Sequence, residues 1–142
     1  MIFTWTPDLA VGIDAIDEQH RELFRRADRL LHSARAGDEP AEILRVLGYL
    51  GEYVASHFRA EEALMADAAY PADAAAAHRA EHAQLDAKFR RMRDGFARGG
   101  MGPELADEVR REVCEWLRDH VGETDRALAS HLRREAGPIT AR

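Results

Sequence analysis

Apolar residues recur at helical spacing along four stretches of the chain, and glycine or proline separates each stretch from the next. The stretches cover roughly residues 18–36, 41–66, 72–96 and a fourth that starts near 104. The breaks between them are Gly37-Asp38-Glu39-Pro40, Tyr70-Pro71 and the run from Gly99 to Pro103. Four amphipathic helices joined by short loops predict an all-α, up-down-up-down four-helix bundle.

The two ends of the chain differ from these stretches. The first residues have no helical period and predict an extended N-terminal arm, whereas Leu128 and Leu132 suit a short C-terminal helix. We therefore predict one domain over residues 1–142. It consists of the arm at 1–17, the helical bundle at 18–134 and a tail at 135–142.

Charge and composition exclude several classes of protein. The net charge of −6 argues against a nucleic-acid partner. No apolar run approaches the ~18–20 residues that span a bilayer, and the first residues lack the pattern of a signal peptide. The single cysteine, Cys114, excludes an internal disulfide framework and cysteine-based metal sites. We predict a cytoplasmic protein with no membrane partner, and a monomer, because no long apolar stripe is left exposed.

Five of the seven histidines lie on the apolar faces of the predicted helices, together with one glutamate. They are His20, His57, His78, His82, His120 and Glu61. His57 and Glu61 are four residues apart, as are His78 and His82, so each pair projects from one face about 40° apart. A buried carboxylate or imidazole without a partner is costly, so this interior needs compensation.

A single core histidine is more often a hydrogen-bonded core residue than a metal ligand. Five of them with a carboxylate, on four helices, are difficult to explain by chance, and a metal cation would satisfy all of these groups together. They exceed the four ligands of a structural zinc and suit two ions. A ferritin-like centre is disfavoured, because no glutamate is followed by histidine three residues later.

Several motifs around these residues resemble those of the bacterial hemerythrins (bacteriohemerythrins), members of the hemerythrin family, over roughly residues 5–132. The matching pieces are VGIDAIDEQH at 11–20, HFRAEEALM at 57–65, YP at 70–71, HRAEH at 78–82 and WLRDHVGETD at 116–125. The order of the pieces is more specific than any one of them. The stretch between Tyr70-Pro71 and His78 is about two residues longer than is usual in the family.

The resemblance implies two non-heme iron ions joined by an oxo or hydroxo bridge. Its ligands would be His78, His82 and His120 on one ion, His20 and His57 on the other, and Glu61 and Asp125 bridging both. Asp125 is not expected from periodicity, because it lies five residues after His120, about 140° around an ideal α-helix. It can reach the centre only if the helix ends or bends between the two, and Gly122 is a plausible place for that.

Unequal sharing of five histidines leaves one iron with an open position, and the resemblance implies that dioxygen binds there. An apolar lining would protect it, and Leu117 matches the family's pocket leucine. Phe58 and Trp116 are further candidates for this dioxygen pocket, although each suits a plain core role as well.

The sequence therefore predicts reversible dioxygen binding for carriage, storage or sensing, with no catalytic residue. Two alternatives remain open at this point. One is a di-iron enzyme with peroxidase-like, ferroxidase or nitric-oxide-reducing chemistry at the same site. The other is a structural iron or zinc domain without gas chemistry. No acid–base group is convincingly positioned at the open site, which disfavours the enzyme.

Overall fold

The computed structural model describes residues 2–98 and 104–140, and no strand occurs among them. The elements are a 3-10 turn at Pro7–Leu9, α1 at Asp14–Ala36, α2 at Pro40–Asp67, α3 at Ala72–Ala97, α4 at Leu105–Val109, α5 at Trp116–Asp119 and α6 at Arg126–Thr140. Helix α1 packs against α2, and α2 packs against α3. The helical segments after residue 104 pack against α1 and α3. The predicted four-helix bundle is confirmed.

Residues 105–140 form one continuous helical rod. Two π-helical segments, Arg110–Glu115 and His120–Asp125, join α4 to α5 and α5 to α6. In a π-helix each N–H bonds the carbonyl five residues earlier, so these segments widen the rod without ending it. The predicted C-terminal helix is therefore the last part of the fourth bundle helix.

Helix α6 continues past the expected end of the bundle at residue 134 and reaches Thr140. Most of the predicted tail is thus helical. The last two residues, 141–142, lie outside the described part of the chain.

Helix α1 begins at Asp14, so the arm is shorter than the predicted 1–17. Asp14 and Asp17 lie in the first turn, where the helix dipole favours negative charge. The Asp17 carboxylate also accepts a hydrogen bond from the Val11 N–H at 2.8 Å, which fixes the entry of the arm into the helix. These four residues are too few to show a helical period, which is why the sequence placed them in the arm.

The arm packs against α1. The Phe3 ring stacks on Phe24 with 4.4 Å between the ring centroids. The buried Asp28 carboxylate accepts hydrogen bonds from the backbone N–H groups of Ile2 and Phe3, at 2.8 and 2.7 Å. Apolar stacking and a buried charge-assisted contact together hold the arm on the bundle.

Short turns connect the first three helices. Gly37 ends α1 at the predicted break, and it does so in the left-handed conformation. Residues 68–71 connect α2 to α3, and the His131 Nε2 donates a hydrogen bond to the Ala68 carbonyl at 2.9 Å. The additional residues before His78 belong to α3, which starts at Ala72. The predicted break at 99–103 lies outside the described residues.

The apolar core draws on all four bundle helices. Its fully buried members include Leu23, Phe24, Leu50, Leu85, Met92, Val109 and Leu117. None of the described helices is both long enough and apolar enough to cross a membrane. The bundle is therefore held by side-chain packing, and its interior also encloses the polar groups that form the site.

Gly12 provides a test of how the arm is attached. Its φ is +85°, and a Cβ there would lie 2.0 Å from the Nη1 of Arg133, which donates a 2.6 Å hydrogen bond to the Val11 carbonyl. We expect Gly12→Ala to lower the free energy of unfolding by about 1–2 kcal/mol, measured by urea denaturation. Gly48→Ala in α2 is the matched control, because nothing lies within 4 Å of its added Cβ. The control should gain about 0.5–1 kcal/mol. Equal stability of Gly12→Ala and the unsubstituted chain would contradict this account.

Candidate metal centre

Seven buried side chains from all four bundle helices meet in the interior. Helix α1 supplies His20, α2 supplies His57 and Glu61, α3 supplies His78 and His82, and the second π-helical segment supplies His120 and Asp125. The i,i+4 spacing on α2 and α3 directs both members of each pair inward. These are the seven residues that the sequence proposes as metal ligands, and the structure brings all of them together.

The Glu61 carboxylate lies between two sets of histidines. Its Oε1 lies 3.1 Å from the Nε2 of His82 and 3.4 Å from that of His78. Its Oε2 lies on the other side, 3.4 Å from the Nε2 of His57 and 3.9 Å from that of His20. One oxygen of this carboxylate therefore faces each set.

Asp125 has the same arrangement. Its Oδ1 lies 3.0 Å from the Nε2 of His78 and 3.1 Å from that of His120. Its Oδ2 lies 2.9 Å from the Nε2 of His20. Both carboxylates thus contact the two sets of histidines with different oxygens, as bridging ligands between two cations would.

The side chains form two overlapping groups, within each of which the candidate ligand atoms lie within 4.8 Å of one another. The three-His group contains His78, His82 and His120, and the two-His group contains His20 and His57. Glu61 and Asp125 belong to both groups. Imidazole nitrogens with carboxylate oxygens are donors that suit first-row transition metals.

The hydrogen bonding of the ligand atoms also fits a metal. In the part of the chain that the structure describes, several buried ligand atoms have no hydrogen-bond partner in spite of their close approach. These atoms are the Nε2 of His20, His57, His78 and His120, the Oε2 of Glu61 and both oxygens of Asp125. Buried polar atoms are rarely left unsatisfied, and cations between the two sets would compensate all of them.

Asp125 reaches the centre through the π-helical segment His120–Asp125. The expected helix end near Gly122 does not occur, because the helix continues as a π-helical turn through residues 120–125. The i→i+5 hydrogen bonds of a π-helix make each turn longer than four residues, so Asp125 comes much closer to the face of His120 than it would in an α-helix while the helix continues. In an α-helix the five-residue spacing would place Asp125 on a different face from His120, whereas here both side chains reach the same site.

The imidazoles and carboxylates stabilise each other's charged forms. Burial alone would lower the pKa of His57, but the neighbouring Asp125 and Glu61 carboxylates outweigh it and raise that pKa to about 9. The same competition raises the pKa of His78 to about 9 and that of His120 to about 10. Burial favours a higher pKa for Glu61, yet the surrounding histidines hold its pKa well below the ordinary value. These charges favour the protonated form of His57, His78 and His120, and a bound cation would displace those protons.

Three of the five histidines also hydrogen-bond through the second ring nitrogen. The Nδ1 of His57 donates to the Gln19 amide oxygen at 2.5 Å, and that of His82 donates to Glu62 at 2.9 Å. Such bonds fix the tautomer and orient the Nε2 lone pair.

The Nδ1 of His120 makes the third such bond, with the Glu81 carboxylate at 2.7 Å. The sequence analysis did not find these three supporting residues. One signal was present, because Gln19, Glu62 and Glu81 each stand next to a candidate ligand in sequence. Each of them, however, supports a ligand on a different helix, and that pairing requires the fold.

Two of the three candidate pocket residues, Phe58 and Trp116, contact histidines of the three-His group. The Phe58 ring stacks on His82 at 3.6 Å between centroids, and the Trp116 ring stacks on His120 at 4.6 Å. Phe58 also lies 6.2 Å from His57 in a tilted arrangement. Leu117 is fully buried in the main apolar core. The two aromatic rings thus shield two imidazoles of the three-His group.

Comparison with known proteins agrees with this site. Residues 11–132 match the family described as "Hemerythrin HHE cation binding domain". Bacteriohemerythrin of Stenotrophomonas maltophilia (strain R551-3) is 33% identical over 132 residues, covering 93% of this chain and 82% of the relative. Bacteriohemerythrin of Methylococcus capsulatus (strain Bath) is 32% identical over 126 residues, covering 88% and 92% of the two chains. A solved structure described as wild-type hemerythrin is 30% identical with a TM-score of 0.77, covering 93% of this chain and 98% of that one.

A helical bundle that encloses two histidine groups joined by shared carboxylates defines a metal-binding bundle protein. The family match and the relatives specify it further, and the chain belongs to the hemerythrin family. The resemblance inferred from the sequence motifs is confirmed.

The pKa shifts predict how the stability of the metal-free protein depends on pH. A histidine with a raised pKa binds its proton more tightly when folded, so its contribution is complete below pH 6.5 and is lost as pH rises through its folded pKa. We expect the unfolding free energy of the chelator-treated protein to fall between pH 6 and pH 9, by about 3 kcal/mol or more because one histidine with this shift already contributes about that much, measured by urea denaturation.

The protein saturated with Zn²⁺ is the control for this pH series. A cation binds neutral imidazoles, so the unfolding free energy of the loaded protein should rise from pH 6 to pH 9. A metal-free protein that becomes more stable towards pH 9 would contradict the proposed coupling between the carboxylates and the imidazoles.

Proposed function

We propose that this chain binds two non-heme iron ions and uses them to bind dioxygen reversibly. The observation that carries the proposal is that Glu61 and Asp125 each offer one oxygen to a three-His group and the other to a two-His group. Membership of the hemerythrin family supports iron as the metal and dioxygen as the ligand.

In this proposal His78, His82 and His120 hold one ion, and His20 and His57 hold the other. Glu61 and Asp125 would be shared by the two ions, together with the oxo or hydroxo group that the family resemblance implies. When bound, the iron pair would supply reversible two-electron chemistry with dioxygen. The two-His group offers one protein ligand fewer, which is the asymmetry that an open position for dioxygen requires.

The surrounding residues would keep water and bulk protons away from the centre. The side chains of His20, Glu61 and Asp125 are at most 1% exposed, Phe58 is buried against the site histidines, and Leu117 is buried in the apolar core. A dry, low-dielectric lining slows proton delivery and so favours release of dioxygen over its reduction. We assign Leu117 to the dioxygen pocket, with Phe58 and Trp116 covering the imidazoles of the three-His group.

The described polar residues at the edge of the site favour binding over catalysis. Glu62 and Glu81 are the acidic groups that contact the ligand histidines from outside, and both are engaged in hydrogen bonds to them. A general acid or base needs a group free to exchange protons with the reacting molecule. We therefore propose a carriage, storage or sensing role, and not an enzymatic one. The cytoplasmic location and the monomeric state remain predictions from the sequence.

Spectroscopy tests the proposed function. The iron-loaded protein is reduced without oxygen, exposed to air, and then returned to anaerobic conditions, with iron quantified on the same sample. We expect two irons per chain and a visible charge-transfer band that appears with dioxygen and disappears on its removal. Irons that oxidise once and do not return would favour the enzyme alternative, and a single ion per chain would contradict the two-ion site.

A histidine substitution tests the assignment of the two-His group. His57→Ala removes one of the two imidazoles proposed for that ion, so the variant should lose the oxygen-dependent band and bind its second metal ion at least 10-fold more weakly. His32→Ala is the matched control, because His32 is an exposed histidine on α1 with a side chain 53% accessible. Metal titration and the visible spectrum measure both effects. Normal oxygen binding by His57→Ala would show that the ligand assignment is wrong.

A further inference from the structure

Glu81 makes two hydrogen bonds through a single carboxylate oxygen. Its Oε1 accepts one from the Nδ1 of His120 and one from the Oγ1 of Thr124, both at 2.7 Å. His120 is the first residue of the π-helical segment, and Thr124 immediately precedes Asp125 at its end. One oxygen atom thus ties both ends of this π-helical turn to α3.

The position of Glu81 on α3 gives this contact its importance. It stands between His78 and His82, so the helical turn that supplies two candidate ligands also holds the segment that supplies His120 and Asp125. Glu62 and Gln19 differ from it, because their hydrogen bonds to the centre each involve a single histidine. Glu81 is the residue of these three that links two parts of the backbone.

The contact with Thr124 depends on the π-helical register. An α-helix completes a turn in 3.6 residues, so four residues carry Thr124 past the position of His120. A π-helix needs more than four residues for a turn, so Thr124 stops short of that position while Asp125 comes closer to the face of His120. The two registers place Thr124 on opposite sides of His120, and the hydrogen bond to Glu81 occurs in the π-helical one.

A π-helical turn needs such support. Segments of this kind are rare, are found mostly at functional sites, and carry no intrinsic stability advantage over an α-helix. Reversion of residues 120–125 to an α-helix would turn Asp125 about 140° away from His120 and remove it from both ligand groups. The two hydrogen bonds to Glu81 oppose that reversion.

We propose that Glu81 is a positioning residue that holds the π-helical turn, and through it His120 and Asp125, in the register needed for two metal ions. This inference rests on the proposed metal centre for its function, although the structural role of Glu81 can be measured without metal. Removing a hydrogen bond of this kind to a metal-binding histidine commonly weakens metal affinity by about 10- to 100-fold.

The test compares four variants of the full chain. Glu81→Ala removes both hydrogen bonds, and Thr124→Val removes one while keeping the shape of the side chain. Glu81→Gln retains a carbonyl oxygen that can accept both bonds without the charge. Glu123→Ala is the control, since Glu123 lines the same surface cavity of about 280 Å³ and makes no side-chain hydrogen bond among the described residues.

The first readout is backbone hydrogen exchange at residues 120–126 in the metal-free protein. We expect exchange at least 10-fold faster in Glu81→Ala, a smaller increase in Thr124→Val, and wild-type rates in Glu81→Gln and Glu123→Ala. A residue with only a packing role would also tolerate glutamine, so Thr124→Val, which keeps the side-chain shape and removes one hydrogen bond, is the variant that separates hydrogen bonding from packing. Circular dichroism checks that each variant folds. If Glu81→Ala does not fold, the comparison of Thr124→Val with Glu81→Gln decides the question.

The second readout is titration with Co²⁺, followed by its visible absorption. Wild type should bind two ions, and Glu81→Ala should bind at least one of them 10- to 100-fold more weakly, with Glu81→Gln close to wild type. Wild-type exchange and wild-type Co²⁺ affinity in both Glu81→Ala and Thr124→Val would overturn the role of Glu81. Failure of wild type to bind two ions would instead overturn the proposed function, and hydrogen exchange would still decide whether Glu81 holds the turn.

Discussion

The structure depends on the burial of two carboxylates, Glu61 and Asp125, among five imidazoles at the centre of an apolar bundle. Neither carboxylate is tolerable there alone, because removing a charge from water costs several kcal/mol. Their partners come from all four bundle helices, so the centre forms only when the whole bundle has closed. Mutual charge stabilisation holds the metal-free site together through protons, and metal ions would replace those protons. The site and the fold are therefore coupled, and loading of the site should stabilise the bundle.

The π-helical segment resolves a conflict between helix geometry and coordination. His120 and Asp125 are five residues apart, a spacing that suits neither the i,i+3 nor the i,i+4 relationship of an α-helix. A kink or a helix end would have solved the problem at the expense of continuous packing in the fourth helix. Widening the turn keeps α5 and α6 in one rod and still directs both side chains inward. Glu81 connects that turn to the adjacent ligand-bearing helix, so the support and the ligands belong to one network.

The sequence predicted the bundle because the helical periodicity and the glycine and proline breaks between helices agreed along α1, α2 and α3. It identified the six stripe residues, including Glu61, because a histidine or carboxylate on an apolar face is conspicuous. Asp125 came from the family resemblance alone, since its route to the centre required a helix geometry that periodicity does not encode. The supporting residues Gln19, Glu62 and Glu81 escaped because each of them acts on a ligand of another helix. Local signals thus indicated the elements and most of the candidate ligands, whereas contacts between distant residues and the register of the fourth helix needed the structure.

Anomalous diffraction at the iron edge, from crystals of the iron-loaded protein, tests the central claim most directly. The account predicts two peaks, one among His78, His82 and His120 and the other beside His20 and His57, with Glu61 and Asp125 in contact with both. It also predicts that the π-helical turn His120–Asp125 is retained. A single peak, or two peaks with Asp125 turned away from both, would contradict the shared-carboxylate centre on which the proposed function depends.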